Sequence, residues 1–162
     1  MGKRTPSGTP ALRVVEAAGV TFRLLEYGHD PRDAHGFGLE SAAKLDVAPE
    51  RVFKTLLAQV DDHLVCALVP ASGMLDLKAL ADAAGGKKAR LAEPADAERA
   101  TGYVVGGISP LGQKQAHTTV IDASARQHDM ILVSGGRRGL SIELAPADLA
   151  ALAAASFAPI SR

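Results

Sequence analysis

Lys54 opens the apolar run Val52-Phe53-Lys54-Thr55-Leu56-Leu57, and a lysine placed there has two uses. It can snorkel to solvent, or it can point into a cleft and hold an oxyanion or a phosphate. An ordinary lysine pKa of about 10.4 suits charge neutralisation better than general-base work unless burial lowers it. A second stretch, Gly102-Tyr103-Val104-Val105-Gly106-Gly107-Ile108-Ser109-Pro110-Leu111-Gly112-Gln113-Lys114, spends five glycines and prolines on shaping backbone. Without Cβ atoms, Gly106 and Gly107 can take φ > 0 and let a ligand reach main-chain N–H groups, while Pro110 biases Ser109 toward extended geometry. On this run alone, a ligand-contacting loop and a plain turn are both open.

Side chains that could act as nucleophiles are poorly supported. Cys66 lies in Leu64-Val65-Cys66-Ala67-Leu68, where a thiol packs as a small hydrophobe and its thiolate is disfavoured by desolvation. Ser109 and Ser134 sit among glycines and can donate hydrogen bonds to a ligand, but neither has a neighbouring base in sequence to activate it. His29, His35, His63, His117 and His128 are not paired at metal-ligand spacing and read as surface or loop residues. There is no paired-histidine zinc motif, Cys-x-x-Cys, Gly-x-Ser-x-Gly elbow or phosphate-binding Gly-x-x-x-x-Gly-Lys-Ser/Thr loop, so no metal or cofactor is expected. Tyr27 and Phe37 flank the loop from His29 to Gly38 and either wall a pocket or anchor the loop. Two basic clusters, Lys87-Lys88 with Arg90 and Gly135-Gly136-Arg137-Arg138-Gly139, are solvated turns or short phosphate-touching patches.

The elements that must position these residues follow from pattern. Thr9 as N-cap and Pro10 at the first helical position open a helix that Gly19 stops. Val20 to Tyr27 alternates as a strand, and a short helix is expected near Leu39 to Leu45. Two apolar runs, Val52 to Val60 and Leu64 to Val69, predict an antiparallel hairpin that sends Phe53 and Thr55 to one face and Lys54 and Leu56 to the other. Asp76 caps a helix through Ala84, a strand lies around Lys88 to Leu91, and Pro94 to Ala100 forms another short helix. Strands at His117 to Ile121, Met130 to Ser134 and Leu140 to Leu144 precede a final helix from Pro146. The expected fold is a single α/β domain, residues 10–162, with a mixed, mainly antiparallel sheet flanked by helices, preceded by a flexible lead, residues 1–9.

Bulk composition narrows the function classes. Lys+Arg and Asp+Glu are both 18 in 162 residues, so no global cationic field drives strong non-specific nucleic-acid binding. One cysteine rules out an internal disulfide framework and agrees with a reducing cytoplasm. The polar start lacks a signal-peptide core and no apolar run reaches membrane-span length, so a cytoplasmic protein is expected.

Taken together, Val52 to Leu57, Leu75-Asp76-Leu77-Lys78, Thr101 to Lys114 and Val133 to Leu140 resemble the YbaK family of bacterial Cys-tRNA(Pro) deacylases. The resemblance runs from about Ala11 to Ile160, in order and with compatible spacing. It implies a relative of the editing domain of prolyl-tRNA synthetases: a trans-editing enzyme that removes cysteine from mischarged tRNA(Pro) in company with prolyl-tRNA synthetase, without metal or cofactor. Cysteine and proline are close in size, and a second site is the physical remedy for that confusion. By the same resemblance Lys54 is the essential lysine, and the loop Gly106, Gly107, Ile108, Ser109 and Pro110 holds the terminal adenosine and the ester, its main-chain N–H groups serving as oxyanion donors. Tyr27, Phe37, Thr55, Ser134 and Ser141 match substrate-contact regions; many relatives have Asp where Ser141 stands. The family's mechanism uses the substrate thiol as nucleophile, releasing a thiolactone. Two alternatives remain open: a related deacylase acting on another mischarged tRNA such as Ala-tRNA(Pro) by water attack, and a non-catalytic aminoacyl-tRNA-binding regulatory protein.

Overall fold

The computed structural model describes residues 8–32 and 36–162. Of the expected lead, residues 1–7 lie outside that range, as does His35. Thr9 is already part of the fold: its hydroxyl accepts from Leu12 N–H to cap α1 (Pro10–Ala18) and donates to the carbonyl of Gly135. Gly19 ends the helix at φ 71°, a conformation glycine takes without steric cost.

Among the described residues eight strands form two sheets. β1 (Phe22–Glu26), β7 (Leu140–Leu144) and β6 (Ile131–Ser134) make an antiparallel three-stranded sheet in the order β1-β7-β6. The five-stranded sheet is mixed, in the order β4-β2-β3-β5-β8. There β2 (Phe53–Val60) and β3 (His63–Pro70) form the expected hairpin, β4 (Ala89–Leu91) edges β2, and β5 (Thr118–Asp122) and β8 (Ser156–Ala158) run parallel to their neighbours. An isolated parallel bridge between Val52 and Leu132 joins the sheets. The expected single sheet is therefore split in two, and β8 was not expected, because three residues at the end of an alanine-rich stretch carry no alternation to read.

Period-2 alternation on the hairpin separates two cores. Phe53, Leu57, Cys66 and Leu68 face Ile131, Val133, Ile142 and Leu144 of the smaller sheet, under Leu12 and Val15 of α1 and Leu149 of α5 (Pro146–Ala153). On the opposite face, Ala58, Val60, Val65, Ala67 and Val69 pack against Leu80 and Ala81 of α3 (Leu77–Ala83). β3 is buried from Val65 to Pro70, as a central strand must be. Among the described residues no helix is long and apolar enough to cross a membrane.

The remaining helices carry site residues. α2 (Phe37–Leu45) begins two residues earlier than expected, so Phe37 and Gly38 stand in its first turn. Gly38 misleads in sequence because it reads as a breaker, yet a Cβ there would lie 3.0 Å from the Cβ of Ala71. Its absent side chain lets the helix approach the end of β3. α4 (Pro94–Thr101) ends at Gly102 with φ 82° and feeds the glycine-rich loop.

Three buried carboxylates pin the periphery. Asp122 accepts from Ile160 N–H, Ser161 N–H and the Ser124 amide and hydroxyl, tying the last residues to β5. Glu143 joins Arg23 and Arg51, each at 2.7 Å, and Glu40 accepts from His29, Lys44 and Asp30 N–H. Burial pushes the Asp122 and Glu40 carboxyls up, but their hydrogen bonds outweigh it and hold both below the ordinary range. The hydrogen bond from Arg23 leads the causes that do the same for Glu143, against the smaller upward push of burial. Depressed folded-state values mean stability that is fully present above the unfolded carboxylate values near pH ~4 and lost as pH falls through the lowered ones. In urea unfolding, Asp122→Ala is expected to lose about 3 kcal/mol at neutral pH. Asp122→Asn should show a shallower loss of stability than the parent between about pH 5 and pH 3.

Candidate active site

A cavity of about 290 Å³ opens between the two sheets, walled by α2, the start of β2, the end of β4, the start of α4 and the glycine-rich loop. Tyr27, Phe37, Lys54, Thr55, Gly106, Ile108, Ser134 and Ser141 all line it. These residues come from five separate parts of the sequence, and only the fold brings them together. Gly107, Ser109 and Pro110, expected beside them, do not line it. The Gly107 N–H donates to Val104 O at 2.8 Å, so it is spent on the turn and is no free oxyanion donor. Ser109 is fully buried, its hydroxyl accepting from Leu111 N–H. Pro110 faces a second hollow of about 190 Å³ on the far side of the loop, beside Gln113 and His117.

Lys54 is the one charged side chain on the cavity wall among the described residues. Its Nζ donates to Gly73 O at 2.9 Å and has no carboxylate within 4 Å among those residues. Burial lowers its pKa from the ordinary lysine value. One ammonium hydrogen is thus anchored, leaving two donors and an uncompensated positive charge for an anionic or polarised group.

Thr55 is the neighbouring anomaly. Among the described residues its buried Oγ1 has no hydrogen-bond partner, a condition that costs about 1–3 kcal/mol in a folded protein. Ser134 and Ser141 are cross-strand partners on β6 and β7, and Ser41 Oγ on α2 lies 3.3 Å from Ser141 Oγ. Ser41, absent from the sequence-based expectation, stands one helical turn from Phe37 on the same side of α2, a spacing that singles it out only once Phe37 is known to wall the cavity. Tyr27 adds a phenol whose pKa is raised, first by burial and then by the charge of Glu40.

The rim is built from the glycine motifs. Gly106 takes φ 90°, and a Cβ on it would fall 2.5 Å from the Phe37 ring, so the aromatic seats directly on the backbone. Phe37 also meets the His29 ring at 5.2 Å between centroids and carries the Arg138 guanidinium 5.2 Å from its centre. Among the described residues Gly106 N–H and Ile108 N–H make no hydrogen bond, so two residues of the cavity wall keep unpaired amides. Cys66 is fully buried in the core and its thiol is pushed up to about 12, so it stays a thiol at physiological pH. Among the described residues no three His, Cys, Asp or Glu side chains converge as a metal site would require.

An apolar pocket with one lysine, a row of hydroxyls and open backbone amides is suited to hold an ester and polarise its carbonyl. Residues 36–152 match the model of the aminoacyl-tRNA editing domain, and the chain belongs to that family. Over 98% of this chain and 96% of the relative it is 37% identical to an Enterococcus faecalis protein provisionally named Cys-tRNA(Pro)/Cys-tRNA(Cys) deacylase EbsC. A proline–tRNA ligase of Geobacillus sp. (strain WCH70) is 31% identical over 120 residues, 72% of this chain but 20% of the ligase. The fold is also that of a crystal structure described provisionally as a trans-editing enzyme for prolyl-tRNA synthetase, with a TM-score of 0.84, 22% identity and 99% of both chains covered.

Two substitutions separate the cavity's architecture from its chemistry. Gly106→Ala should lower the melting temperature, at a cost of about 1–3 kcal/mol, because neither its φ nor the Phe37 ring accommodates a methyl. Thr55→Val should leave the melting temperature unchanged or raised, since it removes an unsatisfied hydroxyl, while weakening substrate use.

Proposed function

We propose that the protein is a trans-editing aminoacyl-tRNA deacylase that clears cysteine from mischarged Cys-tRNA(Pro). Membership of the editing-domain family and near full-length similarity to a protein named for that activity support the reading. The observation that carries it is the pairing of Lys54 with the Gly106 loop across a cavity in which no side-chain nucleophile meets a base among the described residues.

Such a site works when the substrate brings its own nucleophile. The cysteinyl sulfur forms a bond to its own ester carbonyl carbon, the carbon–oxygen bond to the terminal ribose breaks, and the thiol proton ends on the departing ribose oxygen. The released thiolactone opens in water. The protein's share is to hold the reactive conformer and to stabilise the oxyanion, which Gly106 N–H, Ile108 N–H and the Lys54 ammonium supply. Tyr27, Phe37, Thr55, Ser134 and Ser141 shape and orient the aminoacyl group, and Ser41 joins them. Where many relatives have Asp, Ser141 here contributes a neutral hydroxyl.

Equal numbers of acidic and basic residues leave the chain without a broad field to hold tRNA. Identity of the tRNA is then supplied by prolyl-tRNA synthetase, in a cytoplasmic complex where the mischarged product forms. The isolated chain is expected to bind tRNA weakly and with strong dependence on salt.

Discharge of preformed Cys-tRNA(Pro) tests the reading directly. The wild-type protein should release cysteine far faster than alanine or serine from the same tRNA, since only cysteine cyclises through sulfur. Lys54→Ala should slow discharge by about 10²–10³-fold, the range for losing one oxyanion-stabilising group. Equal rates on alanyl and cysteinyl esters would instead favour water attack, and binding of aminoacyl-adenosine without turnover would favour a regulatory protein.

A further inference from the structure

The two adjacent arginines of the Gly135–Gly139 turn have different surroundings. Arg137 is half-buried and its guanidinium donates to the Glu26 carboxylate at 2.7 Å. Arg138 is exposed, and among the described residues it has no ion-pair partner. It is nevertheless held in place. Its Nε donates to Val105 O at 2.9 Å, and the guanidinium carbon stands 5.2 Å from the centre of the Phe37 ring. Both contacts are with residues of the cavity wall, because Val105 and Phe37 line it.

A guanidinium fixed through Nε and one face keeps both terminal nitrogens, and so four N–H donors, for something else. Such an edge fits two oxygens of a phosphate in parallel hydrogen bonds, and pre-organisation reduces the entropy lost on binding. Resting on the proposed deacylase reading, an ester seated in the cavity places its terminal ribose at the rim. The phosphodiester that precedes that nucleoside then lies just outside the cavity, and Arg138 is an exposed cation held against the cavity wall. We infer that Arg138 grips this phosphodiester and so registers the 3′ end of the charged tRNA over the cavity.

The backbone is shaped to permit it. A Cβ on Gly107 would lie 2.8 Å from Arg137 Cα and 2.9 Å from Arg138 N, so the glycine brings the arginine turn against the rim loop. Sequence alone left this cluster as either a solvated turn or a phosphate contact. The geometry divides it, with Arg137 serving the fold and Arg138 the ligand.

Two substrates isolate the inference: Cys-tRNA(Pro), and cysteinyl-adenosine, which carries the same ester but no phosphate. Arg138→Gln is expected to raise KM about tenfold on the tRNA with kcat little changed, and to reduce the log–log salt slope of binding by about one. Cysteinyl-adenosine should be cleaved as well by the variant as by the wild type, Arg138→Lys should recover part of the loss, and Arg137→Gln should leave the salt slope unaltered. Equal losses on both substrates would overturn the inference by making Arg138 a support for Phe37 and Val105; undiminished KM on the tRNA would overturn it too. If the wild type releases cysteine from neither substrate, the deacylase reading itself fails. Binding of an uncharged oligonucleotide ending in CCA then decides Arg138: weaker, less salt-sensitive binding by Arg138→Gln upholds the contact, and equal binding overturns it.

Discussion

The site depends on one close approach, that of the Gly106-Gly107 backbone to the turn bearing Arg137 and Arg138. Any side chain at 107 would overlap the main chain of that turn, and any side chain at 106 would displace the Phe37 ring. The loop from α4 and the β6–β7 turn belong to different parts of the chain, and their contact closes the rim across the gap between the sheets. Glycine is used here for space. At 106 the positive φ adds a second reason, so that position answers to conformation and packing together.

That contact also shows how far sequence reasoning reaches. Alternation in Val52 to Leu57 correctly sent Phe53 and Leu56 to different cores, although Lys54 and Thr55 both reach the cavity wall, and the caps at Thr9 and Asp76 placed two helices within a residue. Glycine was harder to read. Gly38 suggested a breaker but lies within α2, and Gly107 suggested a ligand contact but faces another loop. A missing side chain has the same local signature whether it makes room for a ligand, a helix or a neighbouring turn, and only tertiary structure tells these apart. Ser41 was overlooked for the converse reason. A serine in a short helix carries little information until its neighbours across the cavity, Ser141 and Tyr27, are known.

The division of chemistry between protein and ligand follows from burial. The protein's only thiol is sealed in the core beneath Gln113, while the cavity offers hydroxyls, amides and a single ammonium. Groups of these kinds are suited to polarising or orienting, and none is supported as a nucleophile by a neighbouring base among the described residues. Thr55 on the same wall carries a cost of its own, a buried hydroxyl that has no partner among the described residues.

Pairing of β1 with β7 constrains how the domain is made. β1 lies at the edge of its sheet, and its partner strand β7 comes far later in the sequence. Pairing at such sequence separation is slow, and it cannot begin until β7 has been synthesised. Because β6 and β7 supply part of its wall, the cavity cannot be completed before they are made. A truncated product that stops before β6 and β7 would lack the wall that Ser134 and Ser141 supply, so incomplete chains would not present a working pocket to charged tRNA.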